Sequence, residues 1–415
     1  MTGQASSGLA SRTVLVTGAA KGIGWAIARA FAAQGQRVAL ADIDAQSVEA
    51  CARELGPEHV ALPVDLTRSG AGRAVVGQAA KALCGLDVVI NNAGMTDSTG
   101  RALIDIEGAA FERLIALNLI AVEEICDAAL EILPRGGAIV SLASGASFRP
   151  LALRGAYSAT KAGVVALTEA RAGIAAAKGL SICAVAPGYT RTPLVETLAR
   201  EGRINLEKVA AGVPMGAIAA PEDIADAVLH AALYGEALNG VTLSVDGGSA
   251  LGAPQAGTAP ERGNVASGAV VVWGHEELAK AMGAIGQDGS GPVCALTDAT
   301  LLTPPAEIDL AGVLAGLRAR AARCAREMTR TRDFALTVVI GAQTQDDTIV
   351  AASAGMLVRT LALEWAPSGL RVNAVIWHRP VLDGLADLCL FLGGPRARKV
   401  TGQVIQTQTT LRPRR

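Results

Sequence analysis

The chain has 415 residues, of which 51% are hydrophobic and only 18% charged, and its formal net charge is −1. That length exceeds the usual ceiling for one hydrophobic core, so two domains are expected, and the apolar composition excludes disorder while predicting deeply buried sheets and large subunit contacts. Near-neutral charge gives no reason to expect nucleic acid or an anionic membrane as partner, and despite a mean hydropathy of +0.37 no apolar run reaches bilayer-spanning length.

The opening MTGQASSGLASR lacks the charged-then-apolar layout of a secretory signal and reads as a frayed tail. RTVLVTG (12–18) is a strand, followed by a helix from about Ile23 to Gln34. RVALADI (37–43), HVALPVDL (59–66), LDVVINNAG (86–94), GGAIVSLAS (136–144), LSICAVAP (180–187) and GVTLSVDG (240–247) read as further strands separated by helices. Alternation of this kind implies parallel pairing, and continuous Val/Ile/Leu runs imply cover on both faces, so the first 250 residues should form a doubly wound α/β sheet. A linker rich in Ala, Gly, Pro and Ser occupies 251–267. Beyond it the order is SGAVVVWG (267–274), PVCALTD (292–298), a helix over about 309–328, FALTVVIGAQ (334–343), a helix over about 349–366, LRVNAVIW (370–377) and VTGQVIQTQ (400–408). This second half (268–415) repeats the back of the first with about two strand–helix units lost.

The seven cysteines are widely spaced without a C-x-x-C pair, and most lie inside apolar patterns, so buried reduced thiols are expected. The four histidines show no metal-ligand spacing, so a cytoplasmic protein without structural metal is expected.

Gly18, Gly22 and Gly24 punctuate the turn between the first strand and first helix. They allow a tight turn, close backbone approach to a pyrophosphate and close helix–strand contact, while the helix N-terminus offers free N–H groups to phosphate. Asp42 ends the second strand, where a carboxylate accepts from both adenosine ribose hydroxyls and repels a 2′-phosphate. Lys21 in the glycine turn pulls the other way, since it could pair with that phosphate. Desolvating Asp42 against a dianion outweighs one solvated lysine, so NAD(H) is favoured over NADP(H).

Tyr157 and Lys161 stand four residues apart, on one helix face. A phenol is a poor base at neutral pH, but a neighbouring ammonium and a nicotinamide cation both favour its ionised form. Ser144 ends the fifth strand at its carboxyl edge, where open sheets bind ligands, and its hydroxyl can hold a substrate oxygen. Arg149 and Arg154 could meet an anionic substrate or serve as surface charge, and Tyr189 is a candidate for the pocket wall.

With TGAAKGIG (17–24), Asp42, Asp65-Leu66, NNAG (91–94), Asn118, Ser144, Tyr157, Lys161, PGYTRT (187–192) and DGG (246–248), residues 12–250 resemble the short-chain dehydrogenase/reductase family. The resemblance implies a Rossmann-like domain over 1–250, with Tyr157 as general acid/base, Lys161 tuning it and binding the nicotinamide ribose, Ser144 polarising substrate and Asn118 supporting a proton-relay water. Its cofactor set would be Gly18, Lys21, Gly22, Ile23, Gly24, Asp42, Ile43, Asp65, Leu66, Asn91, Ala93, Gly94, Tyr157, Lys161, Pro187, Gly188, Thr190 and Thr192. Within it, Asp65 would reach the adenine amino group, Asn91 would line the inner ribose and Thr192 would touch the carboxamide. VPMGAIAAPEDIA (213–225) departs from the family's usual VPLGR-x-G-x-PEDIA, with Ala217 in place of the arginine.

The second half reads as a truncated, degenerate Rossmann-like copy. Aligning KAGVVALT (161–168) with SAGMLVRT (353–360) puts Ser353 at Lys161, Ile349 at Tyr157 and Gln343 near Ser144, with Trp377-His378 at Pro187-Gly188 and Gln408 at Asp246. Its first turn, VVVWGHEELAK, lacks the second and third glycines. No cofactor or catalysis is expected there, and an interface role is. The resemblance implies that two chains associate as a homodimer of four Rossmann-like lobes.

The expected activity is NAD-dependent interconversion of a secondary alcohol and a ketone. The alternatives are reduction of 3-oxoacyl thioesters and a non-catalytic NAD-binding scaffold.

Overall fold

The apolar runs of the first half become β1 (Thr13–Thr17), β2 (Arg37–Asp42), β3 (Val60–Pro63), β4 (Val88–Asn91), β5 (Ala138–Leu142), β6 (Ser181–Pro187) and β7 (Thr242–Val245). They form one parallel sheet in the order β3-β2-β1-β4-β5-β6-β7. The computed structural model describes residues 11–96, 103–149, 155–202, 204–252, 268–284, 293–302, 310–327, 333–342, 345–378, 382 and 384–407. The N-terminal tail, the linker beyond Gly252, Arg154, Gln343 and Gln408 lie outside these residues.

Helices α1 (Gly22–Ala33), α2 (Ala45–Leu55), α3 (Ala71–Ala82), α4 (Gly108–Ile115), α5 (Ala121–Ile132), α6 (Gly155–Lys178), α7 (Pro193–Arg200), α8 (Leu206–Ala211) and α9 (Pro221–Tyr234) connect these strands. One face of the sheet buries Val14, Val38, Val88 and Val140 under Ile27 and Phe31 of α1 and Val228 of α9. The other buries Leu15, Val89 and Ile139 under Val76 of α3, Ile125 of α5 and Val164 of α6. Strands covered on both sides cannot alternate polar with apolar, which is why their sequences are continuous apolar runs. The topology is a Rossmann fold.

The second half contributes β8 (Ala269–Trp273), α10 (Glu276–Ala281), β9 (Val293–Leu301), α11 (Leu310–Glu327), β10 (Ala335–Gly341), α12 (Gln345–Trp365), β11 (Arg371–Trp377), α13 (Leu385–Gly393) and β12 (Val404–Gln406). Among the described residues its five strands run parallel in the order β12-β11-β10-β9-β8, which mirrors β7-β6-β5-β4-β1. Among the described residues no strand stands in the places of β2 and β3, the strands whose ends lead into Asp42 and Asp65 in the first half.

Register fixes the equivalences. Val14 pairs with Val88 and Val88 with Ala138, as Val270 pairs with Ala295 and Ala295 with Ala335. Gly274 then answers to Gly18, and a Cβ on either would stand 2.5–2.8 Å from Thr300 or 2.8 Å from Ala93 Cα respectively. His275 Nδ1 accepts from Leu278 N at 3.2 Å and caps α10, so that helix start is closed by its own side chain. The alignment of Ser353 with Lys161, Ile349 with Tyr157 and Gln343 with Ser144 does not hold. Ala138 pairs with Ser181 as Ala335 pairs with Arg371, which places Gly341 at Ser144. Carrying the β6–β11 register back through the helices places Ala351 at Lys161 and Asp347 at Tyr157. Buried Val164, Thr168 and Ala172 then coincide with buried Ala354, Val358 and Ala362, and exposed Ala166 with exposed Met356.

One apolar cluster runs from the α1/α9 face of the first sheet into Val272, Val339, Leu388, Phe391, Val400 and Ile405 of the second half. At the seam the His230 ring lies 4.0 Å from that of Phe391 at an interplanar angle of 7°. Of the seven free cysteines, Cys126, Cys183, Cys324 and Cys389 are buried, Cys51 and Cys294 half-buried and Cys84 exposed. Among the described residues no helix is long and apolar enough to cross a membrane.

Candidate active site

The glycine turn sits at the carboxyl end of β1. Gly18 and Gly22 have φ of +64° and +59°, a region that side chains disfavour. A Cβ on Gly24 would overlap the Gly18 carbonyl oxygen, so this glycine brings α1 down onto the turn. Asn92 latches the turn: its Nδ2 donates to Thr17 O at 2.9 Å and Gly18 O at 3.0 Å. Thr17 Oγ1 accepts from the N–H groups of Asn92 and Ala93, each at 3.1 Å. Thr17 and Asn92 carry no local signature of this latch beyond their places in TGAAKGIG and NNAG. Lys21 is the N-cap residue of α1, is exposed and makes no side-chain cap to the helix start. Ile23 packs on the apolar cluster below.

Asp42 Oδ2 accepts from Ala20 N at 3.0 Å and Oδ1 from Asp44 N at 3.1 Å, which fixes the carboxylate beside the turn. Ile43 next to it is 69% exposed. Asp65 accepts from the Thr67 hydroxyl at 2.7 Å and its N–H at 3.0 Å, bonds that hold its pKa below the ordinary value, while Leu66 is buried. Asn91 departs from expectation. Its side chain turns into the interior, where Nδ2 donates to Ser141 Oγ at 3.1 Å and Cys126 Sγ at 3.3 Å, so this amide does not line a ribose. Gly94 leaves room for the groups around it: a Cβ there would stand 3.3 Å from Asn118 Oδ1 and 3.5 Å from Lys161 Nζ.

A π-helical turn, Ala116–Ile120, joins α4 to α5 and carries Asn118, which is fully buried. Such a turn inserts a residue into the helix and re-aims a side chain. Asn118 Oδ1 accepts from Met95 N at 2.9 Å, and Nδ2 donates to Met95 O at 2.8 Å and Thr160 Oγ1 at 3.3 Å. Nothing in the local sequence announced the extra residue.

Ser144 follows β5 and caps the single turn 145–147, its Oγ accepting from Ala146 N at 3.2 Å while Ser147 Oγ accepts from Ser144 N at 3.3 Å. Helix α6 packs on this turn and carries Tyr157, half-buried, and Lys161, only 4% exposed. Lys161 Nζ donates to Leu142 O at 2.6 Å and lies 6.0 Å from the centre of the Tyr157 ring. Burial lowers the Lys161 pKa to about 8. After β6, Gly188 is forced by Asp246, whose Cα would be 2.8 Å from a Cβ there, and Thr190 Oγ1 donates to Gly188 O at 3.2 Å. Thr192 caps α7, its methyl near the glycine turn: a Cβ on Gly22 would meet Thr192 Cγ2 at 3.6 Å. Tyr189 is 48% exposed, and Arg149 is exposed too.

Residues 18–250 match the family model described as enoyl-(acyl carrier protein) reductase. The chain is 37% identical over 238 residues to the uncharacterized short-chain type dehydrogenase/reductase y4vI of Sinorhizobium fredii, spanning 57% of this chain and 43% of that protein. It thus covers less than half of that relative's length. It is 37% identical over 246 residues to cis-4-hydroxycyclohexanecarboxylate dehydrogenase of Sinomonas cyclohexanicum, 58% of this chain and 96% of that one. The crystal structure of 3-ketoacyl-(acyl-carrier-protein) reductase from Brucella melitensis, complexed with NADH, is similar with a TM-score of 0.53 and 27% identity, over 58% of this chain and 98% of its own. By that match and these likenesses, the chain belongs to the short-chain dehydrogenase/reductase family, an oxidoreductase family that uses nicotinamide cofactors.

Proposed function

We propose that the first half is an NAD-dependent oxidoreductase that interconverts a secondary alcohol and a ketone, with Tyr157 as general acid/base. The observation that carries this reading is the buried Lys161 ammonium beneath the Tyr157 ring at the carboxyl edge of β5. A phenol of ordinary pKa near 10 gains ionised character beside a positive charge, because that charge stabilises phenolate more than phenol. Ser144 Oγ, at the end of the same edge, would hold the substrate oxygen from which Tyr157 removes or to which it returns a proton. Asn118, held on Met95 and Thr160, would keep Lys161 in contact with a water that relays that proton outward.

The residues present fit a dinucleotide. Positive-φ glycines, an α1 start without a side-chain cap and the Asp42 carboxylate fixed beside it would hold pyrophosphate and adenosine ribose. When bound, the nicotinamide supplies the hydride acceptor or donor. Asp42 favours NAD over NADP, because a 2′-phosphate would face a fixed carboxylate; exposed Lys21 opposes this only through solvent. Gly94, Lys161, Pro187, Gly188, Thr190 and Thr192 would surround the nicotinamide end.

A second reading, reduction of a 3-oxoacyl thioester, draws on the likeness to the Brucella reductase. Screening polyols, hydroxy acids, cyclic alcohols and 3-hydroxyacyl thioesters for NADH production separates the two. Tyr157→Phe should lose turnover while still binding NADH. A wild-type protein that turns over none of these substrates would leave only a dinucleotide-binding scaffold.

The second half, in this reading, stands where a partner subunit would. Its α13 and the residues after it pack on α9, and among the described residues it has no counterpart of β2 and β3, the strands that lead into Asp42 and Asp65. Two chains would then make four lobes, and sedimentation showing a stable monomer would exclude that assembly.

A further inference from the structure

Between β6 and α9 the chain leaves the sheet over 192–218, carrying α7 and α8, and this excursion starts over the glycine turn through Thr192. Backbone closes its base. Thr190 and Ala219 form a parallel bridge, Arg191 N donates to Ala219 O at 2.8 Å, and Ala219 N donates to Tyr189 O at 3.1 Å. The returning limb leans on the turn after β7, where Met215 N donates to Gly247 O at 3.1 Å. A Cβ on Gly247 would stand 2.7 Å from Val213 Cγ1, so this contact leaves no slack.

Residues of the second half bond to that limb, to the first turn of α9 beyond it and to the turn it leans on. Gly247 N donates to Lys399 O at 2.9 Å, and Lys399 Nζ reaches Ala217 O at 3.3 Å. The Arg398 guanidinium donates to Asp223 Oδ1, and the other oxygen, Oδ2, accepts from Ala220 N at 2.7 Å to cap α9. Gln403 Oε1 accepts from Ser244 N at 3.2 Å, and space beside Gly248 is filled by Thr401 and Pro214. Residues 213–225 contain no lysine or arginine, and position 217 is alanine. Among the described residues, Arg398 and Lys399, which bond to Asp223 and to Ala217, come from the other half of the chain.

We propose that Arg398 and Lys399 are positioning residues for the substrate-facing excursion, so that the second half sets the substrate affinity of the first. This rests on the proposed reading of the crevice as an alcohol dehydrogenase site. Neither residue touches the reacting atoms; Arg398 acts through Asp223, and Lys399 through Gly247 and Ala217, on the limb 213–220. Fixing that limb beforehand reduces the ordering that substrate binding would otherwise require.

The test compares the full chain with Arg398→Ala, Lys399→Ala, the double variant and the conservative Arg398→Lys. Substrate KM should rise about tenfold in the double variant, the scale of losing charge-assisted hydrogen bonds. kcat and NADH affinity should stay within about twofold, and Arg398→Lys should restore most of the KM. Amide hydrogen exchange should quicken over 192–220 and stay unchanged in β1–β5. Unchanged KM and exchange in the double variant, or a parallel loss of kcat with faster exchange throughout the sheet, would overturn the proposal. The exchange measurement needs no substrate. A wild type without turnover therefore ends the catalytic reading, while the comparison over 192–220 still decides the clamp.

Discussion

Lys161 Nζ lies 6.0 Å from the centre of the Tyr157 ring and donates to the Leu142 carbonyl at 2.6 Å. One residue of the helix is thereby anchored to the strand that ends in Ser144. The anchor has an electrostatic cost, because the ammonium is buried and its pKa falls to about 8 from 10.5.

That cost makes the first prediction. Between about pH 8 and 10.5 the unfolded chain holds a proton on Lys161 that the folded chain has lost, so stability rises with pH across this window. Below pH 8 the full penalty is present. Relative to Lys161→Met, the cofactor-free wild type should gain about 3 kcal/mol between pH 7.5 and 10.5. Denaturant unfolding of both proteins across this range measures it, and parallel pH profiles would contradict the burial. The variant should also lose activity by about two orders of magnitude or more.

Asp42 decides cofactor choice and also supports the turn, since its Oδ2 accepts from Ala20 N. Asp42→Ser with Ile43→Arg should move the ratio of kcat/KM for NADPH over NADH upward by about two orders of magnitude, by removing one fixed charge and adding the opposite one. Asp42→Ala alone should weaken both cofactors as the turn loosens. Titration of NADH and NADPH fluorescence separates these two effects.

The Rossmann sheet, the glycine turn and the Tyr157–Lys161 pair were legible because each has a local signature: continuous apolar runs, special backbone angles and a four-residue helical spacing. Asn91 misled, because a motif names residues without saying which way they turn; the amide that works at the glycine turn is its neighbour Asn92. The π turn at Asn118 has no compositional mark. In the second half, matching small residues shifted α12 by two positions, which rotates a helix by about 200°. That shift would give exposed Met356 the place of buried Val164, and only the β6–β11 register exposes the conflict. Helix α13 and the seam with α9 were not foreseen, since apolar residues that pack between two sheets look locally like any core.

The π turn can be tested through Asn118. Asn118→Ala removes both ties to Met95 and the bond to Thr160, leaving the Met95 N–H and carbonyl without these partners. NADH affinity should change by less than about threefold, while kcat falls about a hundredfold, on the scale of an impaired proton relay. The pH–rate profile should lose its steepness on the side governed by Tyr157 and Lys161. An unchanged kcat would remove Asn118 from the proposed relay.

His230 lies within the seam, stacked on Phe391 at 4.0 Å and beside Tyr234 at 5.5 Å, and among the described residues its buried Nε2 has no hydrogen-bond partner. Burial, with a smaller contribution from Arg396, pushes its pKa down to about 3. The folded protein therefore keeps this ring neutral while the unfolded chain protonates it below about 6.5, so stability is present at neutral pH and falls as pH drops through that window. Between pH 7 and pH 5 the loss from this one group should reach about 2 kcal/mol. His230→Phe keeps a ring against Phe391, removes the orphaned nitrogen and should be more stable than wild type at pH 5 by more than at pH 7. Because α9 joins both sheets through one apolar cluster, the two halves should unfold in a single transition in either protein. Thermal unfolding followed at the two pH values measures the histidine effect, and two separated transitions at pH 7 would show that the seam does not couple the halves.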